Sequence, residues 1–284
     1  MIDPNALLAL DLPEIEHRYD TRDTMLYALG VGLGIDPLDE LQLRFVTEQR
    51  LAALPTMAVV LAYPNGWWAR KETGIDVLRV VHASERFDLH AQLPPAGRVR
   101  GRLRVVGVTD KGAGRGAIVA TERDIFDADS GAHLARVRHV AFCRGDGGCG
   151  SAGRPPGPPH ALPQRPADHS VTLPTQPQTA LIYRLSGDRN PLHADPATAL
   201  AAGYPRPILH GLATYGVIGH ALLRALCEGE PARLRGMACR FTAPVLPGDA
   251  IRTEIWRDGD TAGFRALVGD RVVADNGWAA IGPQ

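Results

Sequence analysis

Four cysteines among 284 residues are too few to staple a chain of this length. A disulfide scaffold is therefore excluded, and Cys143, Cys149, Cys227 and Cys239 are expected as free thiols. Excess charge is missing too. The 31 basic and 31 acidic residues cancel, so no long-range field steers the whole molecule toward nucleic acid or an anionic membrane surface. No stretch reaches the roughly 18 uninterrupted apolar residues of a spanning helix. Met1-Ile-Asp-Pro-Asn5 lacks the basic region and apolar core of a secretory signal, and the closing Ala280-Ile-Gly-Pro-Gln284 is no Ser-Lys-Leu address. A cytoplasmic location with no nucleic-acid or membrane partner is the expectation.

Two cofactor patterns fall short. His139-x3-Cys143-x5-Cys149 has neither a Cys-x2-Cys pair nor an evident fourth ligand, so no metal is expected. Gly30-Val-Gly-Leu-Gly34 departs from Gly-x-Gly-x-x-Gly and follows no strand, which leaves helix termination or close backbone packing as its role.

What is present is an ordinary globular composition, 45% apolar and 22% charged. That length can bury one large core or two of about 130 residues each. After an arm of mixed character, Asp20 or Thr21 can cap a helix over 23–30, with Met25, Leu26, Leu29 and Leu33 as its apolar stripe. Met57-Ala-Val-Val-Leu-Ala62 reads as a buried strand or helix end. Strands are then predicted over 77–82, 85–90, 98–109, 116–127 and 133–143. Helix first and antiparallel strands afterwards is an α+β order.

Residues 144–168 hold too many glycines and prolines for a core element. They divide the chain into an N-terminal domain, 1–143, and a C-terminal domain, 169–284. The second half repeats the plan. A leading strand is predicted over 178–185, and Asp195-Pro196 caps a short helix that Gly203 ends. The longest helix is predicted over 211–226, where Leu212, Tyr215, Ile218, Leu222 and Leu226 share a stripe and Ala213, Gly216 and Gly219 allow close sheet contact. Four strands follow, over 234–242, 250–257, 263–268 and 271–281.

The chemistry gathers in Tyr183-x-x-Ser186-Gly187-Asp188-x-Asn190-Pro191-x-His193 and the nearby Pro207-Ile-Leu-His-Gly-Leu212. On one continuous helix a five-residue offset would turn His193 about 140° from Asp188. Gly187 and Pro191 favour instead a bent loop that can aim both at one point. A carboxylate and an imidazole so placed suit holding a water and moving its protons.

This composite motif resembles that of the MaoC-like (R)-specific enoyl-CoA hydratases, or hydratase 2. The stretches Arg22-Asp-Thr-Met-Leu-Tyr-Ala-Leu-Gly-Val-Gly32 and Phe241-Thr-Ala-Pro-Val-Leu-Pro-Gly-Asp249 are similar in kind to the ends of its two-domain members. The resemblance implies a double hot-dog fold, each half a curled antiparallel sheet wrapped around one long helix. It implies reversible addition of water across a trans-2-enoyl-CoA, with no cofactor beyond the coenzyme A of the substrate, and Asp188 and His193 gripping the water. Asn190 would orient that water or a neighbour. The Gly211 amide, opening the long helix, would meet the thioester oxygen. Tyr183 and His210 would line the pocket.

The first half has no matching motif, so one site per chain is expected, with Trp67-Trp68 either lining acyl space or packing in the core. Arg184, Arg206 and Arg240 are candidate cations for the nucleotide. The alternative enzyme is a dehydratase for sterol side-chain, polyketide or carrier-protein thioesters. Outside enzymes, the alternative is a non-catalytic thioester-binding subunit. The family implies a homodimer, although two domains in one chain can satisfy the same pairing internally.

Overall fold

The computed structural model describes residues 1–283. Its strands are β1 (Ile15–Tyr19), β2 (Val80–Leu89), β3 (Gly97–Asp110), β4 (Ala117–Asp127), β5 (His133–Cys143), β6 (Ala152–Gly153), β7 (His169–Pro174), β8 (Leu234–Phe241), β9 (Ala250–Asp258), β10 (Thr261–Val268) and β11 (Arg271–Ile281). They pair into one antiparallel sheet in the order β1-β3-β4-β5-β2-β8-β11-β10-β9-β7, with β6 on β3. The halves join at the β2–β8 ladder, where Ser84 faces Arg240 and Asp88 faces Gly236. One chain thus supplies internally the edge pairing that two single units would otherwise make with each other.

The helices are α1 (Pro4–Leu8), α2 (Thr21–Gly30), α3 (Glu40–Leu43), α4 (Thr179–Tyr183), α5 (Pro196–Ala201) and α6 (Gly211–Leu226). None is long and apolar enough to cross a membrane. Every residue of α6 from Ala213 to Leu223 is buried, which marks a helix enclosed on all sides rather than one lying on a surface. It packs on β7, β8 and β9 and on the 3-10 turn Pro55–Val59 of the first half.

This is the double hot-dog arrangement, with one departure from the expected symmetry: only the second half contains a long helix. In the first half, α2 has ten residues and stops before Gly32 and Gly34, whose φ angles of +85° and +80° cannot continue a helix. The turn Pro55–Val59 fills the matching place, with Met57, Ala58 and Val59 buried. Asp20 caps α2 through a reciprocal bond pair with Asp23. Its inward face is Thr24, Tyr27 and Ala28, whereas Leu29 is 43% exposed. The Met25-Leu26-Leu29 stripe is corrected accordingly, because α2 packs chiefly against α4 and the turn that follows it. Leu33 is buried as expected.

The strand expected over 178–185 is instead α4 followed by the 3-10 turn Arg184–Ser186, and the strand that leads the second half is β7. The physical reason is tertiary. Ala180 and Tyr183, three residues apart, face inward while Leu181 and Leu185 are exposed, a helical spacing. Tyr183 packs on Tyr27 with ring centroids 6.0 Å apart. A Cβ at Gly30 would lie only 3.0 Å from Tyr183 Cα, so glycine is what lets the two segments meet. Of the strands predicted over 77–82 and 85–90, Val77–Arg79 is instead a 3-10 turn and Val80–Leu89 is one strand, β2, with a bulge between His82 and Ser84.

All four cysteines are free thiols. Within 144–168 the regular structure is β6 alone; Gly148, Gly150 and Arg154 bond Asp110 and Glu122 of the first half, while 160–168 runs along the second half, where the Arg165 carbonyl accepts from the Trp256 indole and the His160 carbonyl from Asn276. Trp67 is buried in a small second core with Leu7, Leu12, Leu103 and Val119. Trp68 packs beside it, and both indoles donate to the Tyr63 hydroxyl.

Gly216 and Gly219 of α6 meet Val31 and Thr56 most closely: a Cβ at 216 would sit 2.4 Å from Val31 Cγ1, and one at 219 would sit 2.5 Å from Thr56 Cγ2. Alanine favours a helix interior by about 1 kcal/mol over glycine, yet overpacking costs about 1–3 kcal/mol. Gly216→Ala is therefore expected to lower stability in urea unfolding, and an unchanged or raised midpoint would contradict this packing.

Candidate active site

The loop between α4 and α6 bends where expected. Gly187 has φ +126°, and Pro191 opens the 3-10 turn Pro191–His193. Asn190 caps that turn, its Oδ1 accepting from the Leu192 amide at 3.0 Å, while its own amide donates to Asp188 Oδ1 at 3.1 Å. Asp195 caps α5 through the amides of Ala197 and Thr198, and Gly203, φ +86°, follows its end. These short-range bonds set the loop's shape.

The result is a cluster. Single ligand atoms of Asp188, His193 and His210 all lie within 4.8 Å of one another. Two hydrogen bonds of ordinary length meeting at one water span about 4.6 Å, so this separation suits a carboxylate and an imidazole sharing one water.

The protonation pattern follows from the partners. His193 Nδ1 lies 2.9 Å from the Ile208 carbonyl; a carbonyl only accepts, so Nδ1 carries the hydrogen and Nε2 keeps its lone pair. Burial holds the His193 pKa below the usual histidine value, against the raising effects of the Ile208 bond and the Asp188 charge. Its imidazole is therefore neutral at pH 7. His210 Nε2 donates to the Asp188 carbonyl at 3.1 Å. Burial, then the neighbouring His193, push the His210 pKa down to about 4. The two rings stack at 3.7 Å.

Tyr183 is buried, its ring 5.0 Å from that of His210. Burial pushes its phenol well above the ordinary tyrosine value, so it stays a neutral donor. Four buried polar atoms here lack a partner among the described residues: Tyr183 Oη, Arg184 Nε, Ser186 Oγ and His210 Nδ1. Buried polar groups are normally satisfied, so their concentration marks a lining for a polar guest.

Gly211 is the first residue of α6, and no side chain caps that helix. Its first amides are therefore free at the positive end of the dipole. The space beside Gly211 is bounded by the Phe241 ring at 3.7 Å and His82 Nδ1 at 3.8 Å from where a Cβ would lie. Of the candidate residues, Asp188, His193, His210 and Tyr183 are brought together around the loop, Gly211 follows His210 directly, and Asn190 shapes the loop from its exposed side.

Arg206 and Arg240 are exposed, and nothing in their surroundings assigns them a ligand. Sequence reasoning treats His82 and His139 as scaffold or surface and places Glu85 only in a strand. Yet they form a second group whose ligand atoms lie within 4.8 Å of one another, against the start of α6. No local spacing could reveal that, because α6 belongs to the other half.

Comparison with known proteins bears on the family. Residues 17–145 match the model of the MFE-2 hydratase 2 N-terminal domain, and residues 160–276 match the MaoC like domain. The 3-hydroxyacyl-thioester dehydratase Y of Mycobacterium tuberculosis is 42% identical over 97% of each chain. The enoyl-CoA hydratase ChsH3 of the same organism is 38% identical over 91% of this chain and 90% of its own. The crystal structure of a MaoC-like dehydratase from Phytophthora capsici superposes with a TM-score of 0.87, at 28% identity and 99% coverage of both chains.

His193, neutral and buried, is expected to titrate with a midpoint below 6.5 when its ring protons are followed by NMR. A midpoint at or above that value would contradict the buried, neutral imidazole.

Proposed function

The chain belongs to the MaoC-like hydratase 2 family, and we propose on that premise that it adds water reversibly across trans-2-enoyl-CoA to give (R)-3-hydroxyacyl-CoA. It is a hydro-lyase. The observation that carries the residue roles is the meeting of Asp188 and His193 at a distance one water can bridge.

In this reading the water lies between the Asp188 carboxylate and His193 Nε2. His193 enters neutral and takes a proton as the oxygen attacks C3 of the enoyl group. The imidazolium so formed is stabilised by the Asp188 carboxylate and returns that proton to C2. Negative charge growing on the thioester oxygen is met by the Gly211 amide, aided by the dipole of α6. His210 acts one step back: by holding the Asp188 backbone and stacking on His193 it fixes both groups. Asn190 serves as the loop's cap and thereby aims Asp188. The reverse direction, dehydration of a 3-hydroxyacyl thioester, uses the same groups with their roles exchanged. No redox centre or Lewis acid is required at any of these steps.

Three outcomes test the reading. Asp188→Asn is expected to reduce crotonyl-CoA hydration by about 10³-fold or more while the fold is retained, since it removes the charge facing the imidazole. A variant within tenfold of wild type, or a wild type inactive from short to long acyl chains, would leave a thioester-binding role instead. The product is expected to be the (R)-3-hydroxyacyl ester by chiral analysis, and an (S) product would defeat the assignment. Because the base must be neutral and its pKa is lowered, the acid limb of kcat/KM should fall below pH 6.5. A limb at or above that pH would remove His193 as the base.

A further inference from the structure

The first half reaches the site through β2. In a regular strand, residues three apart point to opposite faces. The bulge between His82 and Ser84 cancels that alternation, and His82 Nε2 bonds Glu85 Oε2 at 2.9 Å. His139, from β5, donates Nδ1–H to the same oxygen, also at 2.9 Å. The Glu85 side chain is only 2% exposed, while His82 keeps 21% of its surface.

Burial alone would raise the Glu85 pKa. The bonds from His139 and His82 outweigh it and hold the carboxyl down at about 2. Burial lowers the pKa of His139, which therefore stays neutral. The remaining charged group that acts on Glu85 is Arg123, whose guanidinium is bonded to the carbonyls of Ala58 and Val59 instead. His82 is thus the one half-open group on a buried anion. With Nε2 held by Glu85, its Nδ1 faces the start of α6 and bonds no other group among the described residues.

The shape of the hollow there is informative. Gly211 is helical, with no positive φ to require glycine. A methyl group at that position would only touch its walls, the Phe241 ring and His82 Nδ1 at 3.7 and 3.8 Å. Glycine therefore serves to leave room beside a free amide, in a notch whose nearest polar side-chain atom is His82 Nδ1.

We propose that His82 of the first half, oriented by Glu85, donates a second hydrogen bond to the substrate's thioester carbonyl beside the Gly211 amide. The inference rests on the hydratase reading for the identity of the guest. His82 is the catalytic residue in this scheme and Glu85 a positioning residue. With Nε2–H given to Glu85, the proposed contact requires a second hydrogen on Nδ1, directed at the guest. Charge developing on the thioester oxygen then meets one amide and one ring N–H. The first half is accordingly part of the reaction centre rather than only a cradle for the acyl chain.

The test uses the full chain and butanoyl-CoA labelled with ¹³C at the carbonyl, a saturated ester that binds but cannot be hydrated. In wild type the bound carbonyl stretch is expected below its frequency in water, reporting polarisation. His82→Phe, which keeps the ring and loses the donor, should move the band back up. It should lower kcat for crotonyl-CoA by about 10²-fold with little change in KM. His82→Asn, with an amide nitrogen near the Nδ1 position, should recover part of both effects. Glu85→Gln should give an intermediate band. Asp188→Asn, which acts on the water, should leave the band as in wild type.

A folded His82→Phe variant with an unmoved band and kcat within about twofold of wild type would overturn the proposal. If that variant does not fold, His82→Asn and Glu85→Gln decide: bands identical to wild type in both would overturn it as well. A wild type that hydrates no enoyl-CoA, yet whose bound carbonyl responds to His82→Phe, would sink the hydratase reading and leave this contact standing.

Discussion

The N-terminal end of α6 must be open while nearly all the rest of that helix is sealed, and the architecture depends on meeting both demands at once. Burial from Ala213 to Leu223 excludes water from the helix and leaves its backbone bonds undisturbed. At the other limit, no side chain caps the first turn, and Gly211 leaves space beside its own amide. A free amide at the positive end of a buried helix has a strong preference for an oxygen that gains negative charge. The loop carrying Asp188 and His193 arrives at that end because His210, the residue before Gly211, bonds the Asp188 carbonyl. The dyad and the amide are therefore coupled through one side chain.

The two halves divide the labour unequally. The second half keeps the long helix and the loop. In the first half a ten-residue helix and a 3-10 turn stand where a matching long helix would be. The turn presses Thr56 against Gly219, and the end of α2 presses Val31 against Gly216. The first half thus contributes packing to the helix it lacks. It also contributes β2, which joins the halves and brings His82 to Gly211. Burying Glu85 is tolerable only because two imidazoles donate to it.

Much of this was legible from residues alone. The boundaries of β5, β11 and α6 follow from period and punctuation: His133–Cys143, Arg271–Ile281 and Gly211–Leu226 lie where alternation or helical spacing starts and stops. The bent loop was readable because Gly187, Asn190 and Pro191 impose their geometry within a few bonds. The run 178–185 was misleading. Its Ile182 and Tyr183 favour a strand in isolation, but contact with Tyr27 and Gly30 makes it helical. His210 showed no partner in the pattern, because its partner is a main-chain carbonyl, which every residue carries and none displays.

The sequence by itself determined the antiparallel strands, the buried helix, the capped turns and the constellation of Asp188, Asn190 and His193. Each of these is governed by forces acting over a handful of residues: side-chain alternation, capping and the φ limits of glycine and proline. Only the tertiary structure decided that 178–185 is helical, that one half goes without its long helix, and that His82 and Glu85 stand beside Gly211. Those outcomes depend on which surfaces exclude water together and on a strand pairing between segments some 150 residues apart, Ser84 with Arg240. Such a pairing leaves no trace in local spacing.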